Sequence, residues 1–264
     1  MDPNLLKNHT ALVTGASSGL GVDFARELAR LGCNLVLVAR REDQLNVVAD
    51  GIAKASGVRA RGIPMDLAQP DAPQQLYDRL LAEGENVDVL VNNAGFGYYG
   101  DFASVPWERE KAMLDLDILA LTHLTKLFLP DMLKRNFGYI LLVSSIGAYQ
   151  PSPTYASYSA AKSFVLNFGE ALHFELRRTG VGCTVVSPGV TATEFLKVSG
   201  QSPTAYQRMA MMKSADVARI GVRSMLARRA SVVPGWLNAF MVWSNRFIPR
   251  SASALLSYRL MTMN

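Results

Sequence analysis

An α/β fold, a single doubly wound domain with a mostly seven-stranded parallel sheet and helices on both faces, is what this sequence predicts. Three observations predict it. Short, wholly apolar runs alternate with amphipathic stretches along the chain, and strands apolar on both faces belong to parallel sheets covered by helices. The first apolar run ends in a glycine-rich turn that opens a helix. No repeat, low-complexity tract or linker divides the 264 residues, a length that open α/β sheets use as one domain.

The elements follow in order. Ala11–Gly15 (ALVTG) reads as the first strand. The next run, ASSGLGVDFARELARLG, is an amphipathic helix with Phe24, Leu28 and Leu31 on one side and Gly32 as its stop. Asn34–Ala39 is the second strand and REDQLNVVADGIAKAS the second helix. Val58–Asp66 is the third strand, Pro70–Glu83 the third helix and Val87–Asn93 the fourth strand. A long helical stretch covers about Pro106 to Arg135. Gly138–Ser145 is the fifth strand, followed by a helix over SYSAAKSFVLNFGEAL. Gly182–Gly189 and Ser231–Gly235 complete the sheet. Each crossover between neighbouring strands is expected to be right-handed.

Composition narrows the function little. The formal charge of +5 is mild and its Lys and Arg residues are scattered, so no nucleic-acid partner is expected. Cys33 and Cys183 lie in apolar segments without metal-ligand spacing, which suits reduced thiols and a cytoplasmic location. His9, His123 and His173 add no ligand spacing, so no metal is expected. The first residues lack a charged-then-apolar signal pattern. No uncharged apolar run reaches the ~18 residues of a spanning helix.

Chemistry enters at Thr14–Gly21 (TGASSGLG), with glycines at 15, 19 and 21. A strand-to-helix turn of this kind is where a dinucleotide pyrophosphate meets a helix N-terminus, making the domain Rossmann-type. Glycine lets the backbone turn sharply and approach phosphate closely. Gly15, Ser17, Ser18, Gly19, Leu20 and Gly21 are therefore candidate cofactor contacts. The spacing is G-x-x-x-G-x-G, and glycines in turns also serve tight packing alone. After the second strand stand Arg40 and Arg41, with no carboxylate at the strand end to hold a ribose 2′-OH. A guanidinium fork suits a 2′-phosphate. The expected cofactor is NADP(H), with Arg40 the main contact and Arg41 or Ser17 assisting.

Ser144–Lys162 holds Ser145, Tyr158 and Lys162. Tyr158 and Lys162 share a helix face at i, i+4. An ammonium beside a phenol favours phenolate and lowers a pKa that starts near ~10. By itself the pair also fits two side chains that merely share a face.

Taken together, these residues resemble the short-chain dehydrogenase/reductase family. The resemblance covers about residues 8–195: TGASSGLG, Asp66 after the third strand, NNAG (Asn92–Gly95), Ser145, YSAAK (Tyr158–Lys162) and SPGVTAT (Ser187–Thr193). In this order and spacing the six are highly specific. The resemblance implies hydride transfer between a nicotinamide and a carbonyl or alcohol. It makes Tyr158 the general acid in reduction and base in oxidation. Lys162 becomes the ribose contact that depresses the Tyr158 pKa, and Ser145 the hydrogen-bond donor to the carbonyl oxygen. Ser144 is read as structural. Asp66, Leu67, Asn93, Ala94 and Gly95 fall to the adenosine side. Pro188, Gly189, Val190, Thr191 and Thr193 fall along the nicotinamide and pyrophosphate.

One position departs from the family pattern. The asparagine that supports the family's proton relay is matched best by Asp117, within LDLDILALTHLT. An aspartate accepts hydrogen bonds but donates none when ionised. A carboxylate relay, a shifted helix that brings in another residue, and impaired activity stay open, with Asp115 the neighbour of interest. His123 is read as a helix-face histidine rather than a proton shuttle.

About residues 195–229 should form a substrate lid, and about 236–264 an apolar C-terminal extension. Phe96–Tyr99, Ile146–Tyr155 and the run from Phe195 to Met212, with Leu196, Tyr206, Met209 and Met211, are the candidate substrate walls. They suit a small hydrophobic ketone or alcohol; the lid run fits core packing equally well. The extension carries Trp236, Phe240, Trp243 and Phe247 near helical spacing, with Arg246, Arg250 and Arg259 after them. Pocket cover or subunit contact in a homodimer or homotetramer is expected, with peripheral membrane contact the less favoured alternative. The leading reading is an NADP(H)-dependent carbonyl reductase or alcohol dehydrogenase. Its rival is a cofactor-binding regulatory or scaffold protein with weak or no turnover.

Overall fold

Seven strands pair in parallel, and their order fixes where a ligand can sit. They are β1 (Thr10–Thr14), β2 (Asn34–Ala39), β3 (Ala60–Pro64), β4 (Val89–Asn92), β5 (Gly138–Val143), β6 (Val181–Val186) and, seventh in the sheet, Ser231–Val232. The computed structural model describes residues 5–262, apart from the side chains of 205 and 206. Sheet order is β3-β2-β1-β4-β5-β6 followed by Ser231–Val232. Chain direction along the sheet therefore reverses between β1 and β4, whose registry sets Val13 opposite Val91. In open α/β sheets that switch point, at the carboxyl ends of the strands, is where ligands bind.

All five residues of β1 are buried, because successive side chains point to opposite faces and both faces are covered. Val13 and Leu35 join Phe24, Leu28, Val222 and Met225 in one layer. Leu12 and Val36 join Leu76, Leu80, Phe128, Val165 and Leu172 in the other. The first layer is built by α1 (Gly19–Ala29), α2 (Glu42–Ser56) and the helix Ser214–Leu226. The second is built by α3 (Ala72–Ala82), α5 (Leu121–Arg135), which follows α4 (Trp107–Leu114), and α6 (Ala156–Leu176). Local signals agree with this placement. The first turn of α2 carries Glu42 and Asp43, where the helix dipole favours negative charge. Gly57, at φ 69°, ends that helix in a left-handed conformation.

Three expectations change. The helical stretch 106–135 is not uniform: a π-helical segment, Asp115–Ala120, separates α4 from α5. The seventh strand closes after Val232 rather than reaching Gly235, as Pro234 brings no N–H to a ladder. A short parallel ribbon, β7 (Thr191–Ala192) with β8 (Met212–Lys213), was not foreseen; its strands pair Thr191 with Met212. The remaining elements are α7 (Phe195–Ser199), α8 (Ala205–Ala210), α9 (the helix Ser214–Leu226), β9 (the strand Ser231–Val232), α10 (Trp236–Ser244) and α11 (Arg250–Thr262).

Candidate active site

At the end of β1 the chain turns through Gly15 (φ +67°) and Gly19 (φ +58°) before α1 begins, conformations that side chains with a Cβ rarely adopt. Thr14 ties this turn to the end of β4. Its Oγ1 accepts hydrogen bonds from the N–H groups of Asn93 (3.0 Å) and Ala94 (2.9 Å). Asn93 Nδ2 donates back to the Thr14 carbonyl at 2.9 Å. The Asn93 amide is thus engaged in joining two strand ends, a structural role the sequence did not suggest. Gly15, Ser17, Ser18, Gly19 and Leu20 line a cavity of about 430 Å³.

Gly21, assigned to the cofactor from sequence, does not line that cavity. Its importance is packing: a Cβ there would lie 2.3 Å from the Gly15 carbonyl oxygen and 2.7 Å from Asn93 Nδ2. Backbone would have to shift, and overpacking of this kind costs about 1–3 kcal/mol. Gly21→Ala is expected to lower stability by about that amount, measured as a fall in the midpoint of urea unfolding. An unchanged midpoint would contradict the close packing.

Arg40, Arg41, Asp66 and Leu67 line the same cavity. The guanidinium held over the turn is that of Arg41, not Arg40. Arg41 Nη2 donates to Ser18 Oγ at 2.7 Å and Ser17 Oγ at 3.2 Å. It also pairs with Glu194 Oε2 at 3.1 Å. Ser18 and Arg41 together hold the Glu194 carboxyl below the usual range. Glu194 lies 153 residues from Arg41 in the chain, so no local pattern announced the pairing.

Ser145 follows β5, while Tyr158 and Lys162 stand one turn apart on α6; all three line the cavity with Pro188, Gly189, Val190, Thr191, Thr193 and Gly95. Ser144 Oγ donates to the Lys162 carbonyl at 2.7 Å, fastening α6 to the end of β5. Lys162 Nζ lies 5.6 Å from the centroid of the Tyr158 ring and donates to the Val143 carbonyl at 3.3 Å. Its main partner is Asp117 Oδ2, at 2.9 Å, with both side chains buried. The backbone N–H of Phe96 donates to Asp117 Oδ1 at 3.1 Å. A Cβ at Gly95 would sit 2.7 Å from that oxygen, so glycine lets the backbone after β4 close over the ion pair.

The wide π-helical turn carries Asp117 inward, fully buried behind Lys162 and off the cavity surface. Such turns recur at functional sites. Of the two neighbouring carboxylates, Asp117 is the one that reaches Lys162. Asp115 pairs instead with Lys111, at 2.5 Å. His123, on α5, does not line the cavity.

These contacts revise the expected electrostatics. Burial pushes the Tyr158 phenol well above its usual range, the Asp117 charge raises it further, and Ser145 draws it down by hydrogen bonding. The Lys162 ammonium, the group expected to depress this pKa, is itself paired with Asp117. Burial likewise raises Asp117, opposed by Lys162 and by the Phe96 N–H.

Beyond Tyr158 the wall is apolar and aromatic. Tyr158 packs against Phe195 at 5.3 Å and Tyr155 at 5.7 Å between ring centroids. Ile146, Phe96, Leu196, Val198 and Met261 complete it. The lid is fastened by buried polar groups. The Tyr155 hydroxyl lies 2.9 Å from both Ser199 Oγ and Gln201 Oε1. Gln207 Nε2 donates to Gln201 Oε1 at 3.0 Å, and Gln201 Nε2 donates to the Met261 carbonyl at 3.1 Å. Among the methionines expected in the lid, Met209 is exposed and Met212 lies under Gly235. The methionines lining the cavity are Met65 and, on the substrate wall, Met261 from α11. The side chain of Tyr206 lies outside the described residues.

Among the described residues no group of three or more His, Cys, Asp and Glu could hold a metal ion. Cys33 and Cys183 are free and buried, and burial pushes the Cys183 thiol up to about 12.

A glycine-lined turn at a helix N-terminus, beside a switch point, fits a dinucleotide and puts the chain among the dinucleotide-binding oxidoreductases. The family model for short chain dehydrogenase matches residues 9–203, and the chain belongs to that family. It is 34% identical over 253 residues to a very-long-chain 3-oxoacyl-CoA reductase of Anas platyrhynchos, covering 91% of this chain and 76% of the relative. A short-chain dehydrogenase from Sphingobium yanoikuyae in complex with NADPH superposes with a TM-score of 0.79 at 27% identity, over 92% of this chain and 97% of the other. A short chain dehydrogenase/reductase from Burkholderia phymatum in complex with NAD gives 0.81 at 25% identity, over 90% and 93%.

Proposed function

We propose that the chain is an NADP(H)-dependent reductase of hydrophobic ketones, run in reverse as a secondary-alcohol dehydrogenase. The observation that carries the reading is one cavity lined by both Ser145–Tyr158–Lys162 and the glycine turn, with an aromatic and aliphatic wall beside the phenol. When bound, NADPH supplies the hydride. Tyr158 donates its phenolic proton to the carbonyl oxygen, and Ser145 Oγ–H donates a hydrogen bond to the same oxygen as charge builds there. Lys162, fixed by Asp117 and the Val143 carbonyl, holds the cofactor ribose. A phenol kept neutral by burial and by Asp117 is in the proton-donating form at neutral pH, which supports the reductive direction.

Arg40 and Arg41, with no carboxylate at the end of β2, support NADP(H) over NAD(H). Arg41 exchanges its Glu194 partner for the 2′-phosphate in this reading. The double variant Arg40→Ala, Arg41→Ala is expected to raise KM for NADPH at least about tenfold, in line with losing charge-assisted hydrogen bonds, while leaving KM for NADH nearly unchanged. Equal effects on both cofactors would contradict the assignment.

The apolar wall, and the name of the Anas platyrhynchos relative, make long-chain 3-oxoacyl thioesters one arm of the substrate test beside aliphatic and aromatic ketones. NADPH oxidation is followed across this panel, with NADH in parallel. Turnover with a tenfold preference for NADPH supports the proposal, and the same preference for NADH overturns its cofactor. NADPH binding without turnover on any member supports the cofactor-binding scaffold, for which Asp117 in place of the family's asparagine is the motivating residue.

A further inference from the structure

The two C-terminal helices carry their polarity reversed. In α10 the buried residue is Asn238, whereas Trp236, Phe240 and Trp243 are 82%, 57% and 51% exposed. In α11 Ser253 and Ser257 are buried while Leu255, Leu256 and Tyr258 are exposed. A helix on a water-facing surface shows the opposite pattern. Two amides of the tail make specific contacts inward. Asn238 sits against Gly189, where a Cβ would lie 2.5 Å from its amide nitrogen, and donates to the Pro234 carbonyl at 3.1 Å. Asn245 Nδ2 donates to Gln150 Oε1 at 2.6 Å. Polar contacts thus hold the tail to the cavity loops, and the apolar side is left outward.

That side forms a strip. Trp236, Phe240, Trp243 and Phe247 follow i, i+4, i+7, i+11 spacing, and ring centroids lie 5.9 Å apart for Phe240–Trp243 and 5.0 Å for Trp243–Phe247. Clustered exposed apolar side chains of this kind point to an interaction site. Its charge is one-sided: residues 236–264 contain Arg246, Arg250 and Arg259 and no aspartate or glutamate, and all three arginines are exposed.

We propose that this face docks the protein peripherally on an anionic lipid surface, aromatic side chains entering the interface and arginines meeting headgroups. A second copy suits the face poorly. A twofold contact sets the patch and its arginines against the same patch, with no carboxylate in the segment to compensate. Among the described residues no helix is long and apolar enough to cross a membrane, so the contact is shallow. Because α11 also places Met261 in the cavity wall, docking sets an apolar substrate site beside lipid.

The test floats the full chain, with saturating NADPH, on vesicles of phosphatidylglycerol or phosphatidylcholine at low salt. Flotation with phosphatidylglycerol that falls as salt rises is the expected result. Trp236→Ser, Phe240→Ser, Trp243→Ser together should reduce it at least tenfold, roughly the effect of removing three interfacial aromatics. Each of Arg246→Gln, Arg250→Gln and Arg259→Gln should reduce it about fivefold. NADPH binding by the variants checks their folding. If a variant fails to bind NADPH, the parent's lipid and salt dependence decides alone. A parent that stays unbound on phosphatidylglycerol overturns the proposal, as do aromatic variants that float like the parent. A dimer that the aromatic substitutions split, with no vesicle binding, assigns the face to a second copy instead.

Discussion

Tyr158→Phe is expected to lower kcat for NADPH-dependent ketone reduction by about 10²–10⁴-fold, the usual contribution of a positioned general acid. The loss should fall on turnover and not on cofactor binding. The ring, which carries the contacts with Tyr155 and Phe195, is retained, and only the hydroxyl is removed. Gly97 lies against that ring, where a Cβ would come within 2.8 Å of it, so its position is fixed by packing on both sides. Single-turnover rates separate the two effects, and near-parental turnover by the variant would remove Tyr158 from the mechanism. The parent's pH dependence has a defined sign. In the proposed mechanism reduction uses the protonated phenol, and burial with the Asp117 charge raises its pKa. Reduction should therefore persist into alkaline pH, while alcohol oxidation, which uses the phenolate, should increase as pH rises.

Asp117 gives the second large effect. Removing its carboxylate as Asp117→Ala leaves Lys162 buried without its ion-pair partner, and breaking such a pair costs about 3–5 kcal/mol. A drop of that size should appear in urea unfolding. Asp117→Asn keeps the shape while deleting the charge. That charge raises the Tyr158 phenol and engages the Lys162 ammonium. Its removal should move the pH limits of both reduction and oxidation toward lower pH. Identical pH–rate profiles for parent and Asp117→Asn would place Asp117 outside the electrostatics of the site. A purely structural role predicts lower stability with an unmoved profile, so the two measurements distinguish the roles.

What the sequence made legible followed from strong, local physics. The strands ending at Thr14 and Ala39 stood out because parallel strands buried on both faces are continuous apolar runs, bounded here by Gly15 and Arg40. The glycine turn, Ser145, Tyr158 and Lys162 were readable because their spacing is short and their chemistry distinctive. The π-helical turn at 115–120 was not, since DLDILA continues a helical pattern and nothing in it marks a wider turn. Gly21 looked like a phosphate contact because it shares a turn with two glycines that line the cavity. Its distinct role depends on the Gly15 carbonyl and the Asn93 amide, which come together only in three dimensions.

The lid shows the same limit. Met209 and Met212 suggested an adaptable wall, yet the methionines that line the cavity are Met65 and Met261. The lid is held by Gln201 and Gln207, polar residues that no spacing marked. Glu194 reached Arg41 across the fold, not along the chain. In α10 and α11 the usual inference from apolar residue to core largely fails, because the buried positions belong to Asn238, Ser253 and Ser257.

In the proposed reaction this cavity transfers a hydride to a hydrophobic ketone. The most direct measurement incubates the protein with NADPH deuterated at the transferable C4 position and a hydrophobic ketone, then analyses the alcohol by mass spectrometry. One deuterium at the carbinol carbon is expected, formed by the parent and nearly abolished in Tyr158→Phe. Stable NADPH binding with no labelled alcohol from any ketone or 3-oxoacyl thioester would contradict it.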